Sequence, residues 1–429
     1  MTVTLDSPLT LPGGAVLANR LCKAALTEGL ADPMNRATEG LERLYRAWSL
    51  GGAGLLITGN VQVDRKHLER PGNVAVDGNG GLEQLRAYAA AGRAAGNHLW
   101  MQINHPGRQT PRELNPEPLA PSAVSLDVPG DSFGRPRAAS ETEIQDIIRR
   151  FAHVAEVARD TGFTGVQIHA AHGYLLSQFL SPIANRRTDA WGGDLVNRAR
   201  LLLEITRAAR AAVGADFPIS VKLNSADFQK GGFSDADARR VAQWLGQAGV
   251  DLLELSGGTY EQMVMVGAGN EAGIGLPVRE STRAREAYFL DYAGMIKPLV
   301  TMPVMVTGGF RTRLGIAAAL ESGAADVIGL GRPMCTEPDL PGRLLAGAVE
   351  RGPTWEHSLR LDPGSAPPGL DPALRHQMEA WGKQGWFCLQ LIRMGQGLSA
   401  DLTMSVMDGF TGYARNEAET AQRLIPARR

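Results

Sequence analysis

The sequence predicts an α/β protein folded as a (β/α)8 TIM barrel. Three observations carry that expectation. Eight short β-rich runs alternate with longer segments of helical period, which is the pattern of a closed parallel barrel. No GxGxxG opens a helix, as a doubly wound dinucleotide-binding sheet would have it. The polar residues Thr27, Gln102, His105, His169, Lys222, Gly308 and Arg332 gather at the C-terminal ends of the runs, where barrels build their active sites.

Each element follows in order. The first run is LANRLCKAAL, ending near Leu26; GLLITG (Gly54–Gly59) and HLWMQINH (His98–His105) come next. Leu41–Leu50 and Leu82–Ala95 between them have helical period. A stretch rich in Pro, Ser and Gly, about residues 106–139, reads as an extended insertion. In Glu141–Asp160, Ile144, Ile147, Phe151, Val154 and Val157 recur at helical spacing, and Gly162 stops the helix. GVQIHAAHGY supplies strand four. Helix Asn197–Val213, strand Pro218–Asn224, helix Asp235–Gly249 and strand Asp251–Gly258 follow. Helix Glu280–Leu299, strand Pro303–Gly309, helix Arg313–Gly323 and strand Ala325–Arg332 complete the series. Residues 1–350 are thus expected to form the barrel. Residues 351–429 form a turn-rich linker and a helical tail, with Leu374–Leu398 read as two short helices, packing on the barrel or on a partner subunit.

Of the 429 residues, 44 are basic and 45 acidic, which favours neither a nucleic-acid nor a membrane-surface partner. No apolar stretch is long enough to span a bilayer, and the N-terminus lacks the pattern of a signal peptide, so a cytoplasmic setting is expected. Cys22, Cys335 and Cys388 are far apart with no CxxC, which argues against a disulfide scaffold, structural zinc or an iron–sulfur cluster.

The chemistry concentrates at the strand ends. His169 and His172 are three apart where strand four ends, so each can donate an N–H to one oxygen if the chain turns there. Donors aimed at a developing oxyanion lower the barrier to conjugate addition. A satisfied core histidine and a metal HxxH lacking an evident further ligand are the rival readings, and no metal is assigned. Tyr174 lies nearby with an O–H able to protonate a carbanion-like centre. Lys222 ends the apolar run ISVKL, and TGGFRTR and GLGR place Gly308, Gly309, Gly331 and Arg332 after strands seven and eight, where barrels often bind phosphate. The loop SGGTYEQMVMVGAG after strand six supplies Tyr260 and Met263 as substrate-side candidates. His105 and Arg108 are candidates for holding the insertion or meeting a ligand.

The segment GVQIHAAHGYLLSQFLSPIANRRTDAWGGDLVNRAR (Gly165–Arg200) strongly resembles the old yellow enzyme family, the NADH:flavin oxidoreductases. NRLCKAAL, QINHPGR, TGG and GLGRP occur in the matching order, and the resemblance spans about Pro8 to Leu345. It implies non-covalent FMN, NAD(P)H as the reductant, and ene reduction of a small molecule with an activated C=C. It further implies that Ala25, Leu26 and Thr27 run under the flavin, with Thr27 near its C4 carbonyl, that Gly59 lies beside the ring, and that Gln102 binds the pyrimidine edge. His169 and His172 would hold the electron-withdrawing oxygen, Tyr174 would protonate the substrate carbon, and Gly308, Gly309, Gly331 and Arg332 would hold the phosphate. Two departures stand out. Lys222 replaces a residue that is commonly arginine, keeping the charge and losing the planar fork. The opening NRLCKAALTEGLADP lacks the common proline–methionine pair. The cysteine cluster and dinucleotide-binding extension of longer relatives are not seen, so direct transfer from nicotinamide to FMN is expected.

Two other readings compete. One is a non-flavin barrel aldolase or isomerase for phosphorylated substrates, with Lys222 as a Schiff-base candidate. The other is a non-catalytic binding protein. The choice between NADH and NADPH, the physiological alkene and any homo-oligomer stay open.

Overall fold

The computed structural model describes residues 3–128, 131–261, 287–362, 364, 369 and 371–425. Eight parallel strands close into a ring: β1 (Leu21–Lys23), β2 (Leu55–Gln62), β3 (His98–Asn104), β4 (Gly165–Ala170), β5 (Ile219–Asn224), β6 (Leu252–Ser256), β7 (Val304–Thr307) and β8 (Val327–Leu330). Each pairs with its neighbours in sequence, and β8 pairs with β1. The expected (β/α)8 barrel is the observed fold.

Strand side chains alternate in direction, so every barrel strand has an inner and an outer set. Cys22, Leu55, Ile57, Trp100, Leu252, Met305 and Val327 form an apolar cluster separate from the main core, and Leu11 and Leu17 join it. These two come from the segment around a short N-terminal ribbon, Leu9–Thr10 against Val16–Leu17, which plugs the barrel. One step along the same alternation, the inner set becomes polar: Gln102 meets Gln167, and Gln167, Lys222 and Thr307 all meet Glu254 within hydrogen-bonding distance. The outer set, such as Leu56, Ile168, Val221, Leu253, Val306 and Ile328, belongs to the main core shared with the helices.

The main helices between strands are α1 (Glu39–Leu50), α2 (Leu82–Ala91), α3 (Glu141–Asp160), α4 (Leu195–Val213), α5 (Asp235–Gln247), α6 (Leu290–Ile296) and α7 (Arg313–Glu321), and a short helical segment, Leu175–Leu180, follows β4. Both α3 and α5 open on capping boxes, Ser140 with Glu143 and Ser234 with Asp237, which satisfy backbone N–H groups that the first turn leaves unpaired. Part of the expected helix Glu280–Leu299 lies outside the described residues; within them α6 is followed by a 3-10 turn, Lys297–Leu299. The insertion carries two short paired segments, Leu119–Ala120 and Arg137–Ala138.

The tail differs from the expected pair of short helices within Leu374–Leu398. One helix of 24 residues, α8 (Pro372–Gly395), runs through all but the last three residues of that stretch, and α9 (Val406–Arg423) follows it. Gly382 and Gly385 do not break α8. A Cβ on Gly382 would lie 2.6 Å from the Val406 carbonyl oxygen, and one on Gly385 would lie 2.3 Å from that of Gly409. These glycines let two helix backbones meet. No helix among the described residues is long and apolar enough to cross a membrane.

Candidate active site

A cavity of about 280 Å³ opens at the C-terminal ends of the strands. The sequence brings most of its candidates to it: Ala25, Leu26, Thr27, Gln102, His169, His172, Tyr174, Lys222, Tyr260, Gly308, Gly309, Gly331 and Arg332 all line the wall. Gly59 is absent from the lining. It is needed where it stands because a Cβ would come within 2.2 Å of Glu28 Oε2 and the Leu26 carbonyl oxygen. Met263 lies outside the described residues. His105 is buried against the His67 ring, with centroids 4.4 Å apart. Arg108 pairs with Glu261 at 2.7 Å and donates to the Ser125 carbonyl, tying the insertion to the loop after β6.

Strand register explains the floor. Lys222 on β5 lies in register with His169 on β4 and Glu254 on β6. Lys222 Nζ is 2.9 Å from Glu254 Oε1, and both side chains are almost wholly buried. Thr307 donates to Glu254 Oε1 at 2.7 Å, and Gln167 donates to Glu254 Oε2 at 2.7 Å. Gln102 Nε2 in turn donates to Gln167 Oε1 at 2.7 Å, which leaves the Gln102 Oε1 acceptor for a ligand. A buried lysine is tolerable here because a carboxylate lies against it, and Gln167 and Thr307 hold that carboxylate in place.

The histidines sit at the end of β4. His172 has φ +62°, in the left-handed region that non-glycine residues rarely occupy and that is enriched at functional sites. This turn brings the rings of His169 and His172 edge to face with centroids 5.0 Å apart. Ala171 N–H donates to His169 Nδ1 at 3.2 Å, which leaves Nε2 to carry the proton of a neutral ring. Ser256 Oγ is 2.7 Å from His172 Nε2. Burial, helped by its charged neighbour Lys222, pushes His172 down to about 3, and burial followed by His172 and Lys222 holds His169 well below the usual range. Both rings are neutral single N–H donors at physiological pH.

Tyr174 packs edge to face on His169 at 4.8 Å, and its hydroxyl is 2.9 Å from that of Tyr260. Burial, then the nearby Glu69 carboxylate and Tyr260, push the Tyr174 hydroxyl well above the ordinary phenol range, so it keeps its proton. Tyr260 in turn donates to Glu69 Oε1 at 3.4 Å. The Thr27 hydroxyl donates to Glu69 Oε2 at 2.8 Å, which commits its one proton to a carboxylate.

Sequence reading passed over Asn60, Glu69, Ser256, Thr307 and Arg311, and Ala380, Trp381, Gln384 and Tyr413 of the tail, all of which line the cavity. Glu254, Gln167 and Thr307 did carry a signal: each is a polar residue at an inner position of a mostly apolar strand. At the other end, Gly308 (φ +142°) and Gly309 (φ +85°) follow β7 in conformations that favour glycine, and Gly331 with Arg332 follows β8. This donor set fits FMN. Backbone N–H groups and Arg332 suit a phosphate, the Ala24–Thr27 segment offers a wall for a flat ring, and Gln102 with Lys222 offers an acceptor and a cation for its polar edge.

Comparison with known proteins agrees. The NADH:flavin oxidoreductase / NADH oxidase family matches residues 5–350. The NADH-dependent flavin oxidoreductase nadA of Aspergillus parasiticus is 40% identical over 346 residues, covering 77% of this chain and 76% of that one. The NADH-dependent flavin oxidoreductase iliE of Neonectria sp. is 40% identical over 357 residues, covering 78% of this chain. The chain spans only about half of that relative's length, 46%. The solved old yellow enzyme homologue from Zymomonas mobilis superposes with a TM-score of 0.69 at 26% identity, covering 84% of this chain and 98% of that one. The matched span holds all eight strands and every barrel residue of the cavity, and the chain therefore belongs to the NADH:flavin oxidoreductase / NADH oxidase family of FMN enzymes.

Proposed function

We propose that the chain is an FMN-dependent ene reductase, reducing the C=C of an activated alkene with NADH or NADPH. The observation that carries this reading is the pair of neutral imidazoles, His169 and His172, sharing one cavity with the protonated Tyr174. FMN, when bound, supplies the hydride chemistry between the nicotinamide and the β-carbon of the acceptor. The protein's own groups do the rest. His169 and His172 donate N–H groups to the carbonyl oxygen of the alkene, whose negative charge grows as the β-carbon is attacked. Tyr174 delivers the proton to the α-carbon, and the net change is one hydride and one proton added across C=C. Tyr260 and Glu69 form the hydrogen-bonded line through which Tyr174 recovers its proton. Lys222 adds positive charge at the floor and is held there by Glu254.

The ion pair also argues against the aldolase reading, since a Schiff-base lysine needs a neutral amine and Lys222 has a carboxylate 2.9 Å away. In the proposed reading the partners are a nicotinamide and a small alkene, in a cytoplasm reducing enough for three free, buried thiols.

The test is the double variant His169→Ala/His172→Ala. Phenolate affinity, followed by perturbation of the visible flavin spectrum, should fall roughly 100-fold or more while FMN content is retained. Unchanged phenolate affinity contradicts the assigned role.

A further inference from the structure

One side of the cavity is not built by the barrel. Ala380, Trp381 and Gln384 of α8 and Tyr413 of α9 line it, and the tail bearing them lies beyond the residues the family match covers. The hairpin is a built element. Trp386 Nε1 donates to the Met404 carbonyl at 3.0 Å, and Gln390 exchanges hydrogen bonds with the backbone of Asp401 at 2.9 and 2.7 Å, closing the connection between the helices. A Cβ on Gly409 would lie 2.4 Å from the Gly382 carbonyl oxygen, so the two helices are seated backbone to backbone.

The hairpin is also locked to the site. Arg70 is only 2% exposed, and its Nε donates to Glu417 Oε2 of α9 at 3.0 Å. Its Nη1 donates to the Thr27 carbonyl at 3.1 Å, and its guanidinium lies 5.0 Å from the centroid of the Tyr413 ring. One buried cation thus joins the segment of the cavity wall at Thr27 to the last helix. A buried pair of this kind is costly to break, which favours one fixed position of the helix. Trp381 nevertheless remains 37% exposed while lining the cavity, so its ring is available to a ligand.

We infer that the C-terminal hairpin is the acceptor-selecting wall of this active site. Trp381, Tyr413 and Gln384 meet the part of the acceptor that extends beyond its activated double bond, and the Arg70–Glu417 clamp sets their position. Two aromatic rings with one amide suit a planar, aryl-bearing enone with a polar substituent, rather than a compact aliphatic one. The inference rests on the ene-reductase reading for the identity of the ligand.

The experiment separates the two half-reactions in the full-length, FMN-loaded protein. Bleaching of the flavin by NADH is followed first in the parent and in Trp381→Ala, so that acceptor kinetics are read only on protein that holds reducible FMN. The KM of Trp381→Ala for chalcone should rise roughly 3–10-fold, the loss expected for one aromatic contact, while KM for cyclohex-2-enone stays within about two-fold. Trp381→Phe should restore most of the chalcone affinity. Glu417→Gln should shift chalcone in the same direction with FMN content unchanged. Equal shifts for both acceptors, no shift for either, or loss of FMN from the Trp381 variants overturns the wall. A parent protein that NADH does not bleach overturns the flavin reading instead, so the two failures are distinguishable.

Discussion

Two buried lysines, Lys23 and Lys222, lie on strands of the same barrel and differ in almost everything else. Lys222 belongs to the inner set of β5, lines the cavity and pairs with Glu254. Lys23 belongs to the outer set of β1, between the inward residues Cys22 and Ala24, and faces α1. Its Nζ donates to the Tyr45 hydroxyl at 2.9 Å and the Ile57 carbonyl at 2.8 Å, and lies 4.1 Å from the Trp48 ring centroid. Tyr45 passes the contact on to Glu28, which also accepts from Gly59 N–H. Burial pushes Lys23 down to about 8, although Glu28 opposes the fall. A lysine in an apolar strand is therefore not a site by virtue of its type. The strand's two-residue period decides whether its charge reaches a ligand or only the helix layer.

The difference has measurable consequences. Lys222→Met should cost the largest amount. It leaves Glu254 buried without its cation, so stability in urea should fall by about 3–5 kcal/mol. Turnover with NADH and an enone should fall roughly 100-fold. The double variant Lys222→Met/Glu254→Gln should recover most of the stability and none of the turnover. Recovery of both would make Lys222 a structural residue like Lys23.

A pH series examines the other lysine. An unfolded lysine titrates near 10.4, above the folded value of about 8. Between these values the unfolded chain binds more protons, so the Lys23 contribution to stability rises with pH. The burial penalty is fully present below about pH 8 and gone above about 10.4. Wild type should therefore gain up to about 3 kcal/mol relative to Lys23→Met between pH 8 and 10.4. A pH-independent difference between the two contradicts the assignment. The smallest effect is Lys23→Met at neutral pH. The lost hydrogen bonds and the loss of the cation near Glu28 oppose relief of the buried charge, so the net change in stability should be small, within about 2 kcal/mol, and turnover should stay within about two-fold.

The same contrast shows how much of the molecule was legible. Barrel strands announce themselves because each is a short apolar run closed by glycine or a polar residue, and the parallel order then brings His169, Lys222 and Gln102 to one end. The partners of those residues were harder to read. Glu254 and Gln167 are isolated polar residues flanked on both sides by apolar ones, and only strand register shows that they complete a network. Glu69 and Asn60 lie on segments with no motif, and only the folded chain places them beside Thr27 and Tyr174.

The tail was least legible. Leu374–Leu398 read as two short helices, yet one helix runs through Gly382 and Gly385, whose small size permits contact with α9. In α9 the buried residues Val406 and Gly409 give too sparse an apolar stripe to mark a core-facing helix. Small residues that permit close approach of backbones carry little hydrophobic signal, so a wall built with them escapes a periodicity search.

The most direct test of the central claim is an anaerobic titration of the purified protein with NADH, followed by an activated alkene. The account predicts a yellow protein whose visible flavin absorbance is bleached by the nicotinamide and restored by the enone, with the saturated carbonyl as product. A protein that takes up no FMN on reconstitution, or whose bound FMN the nicotinamide leaves oxidised, contradicts it.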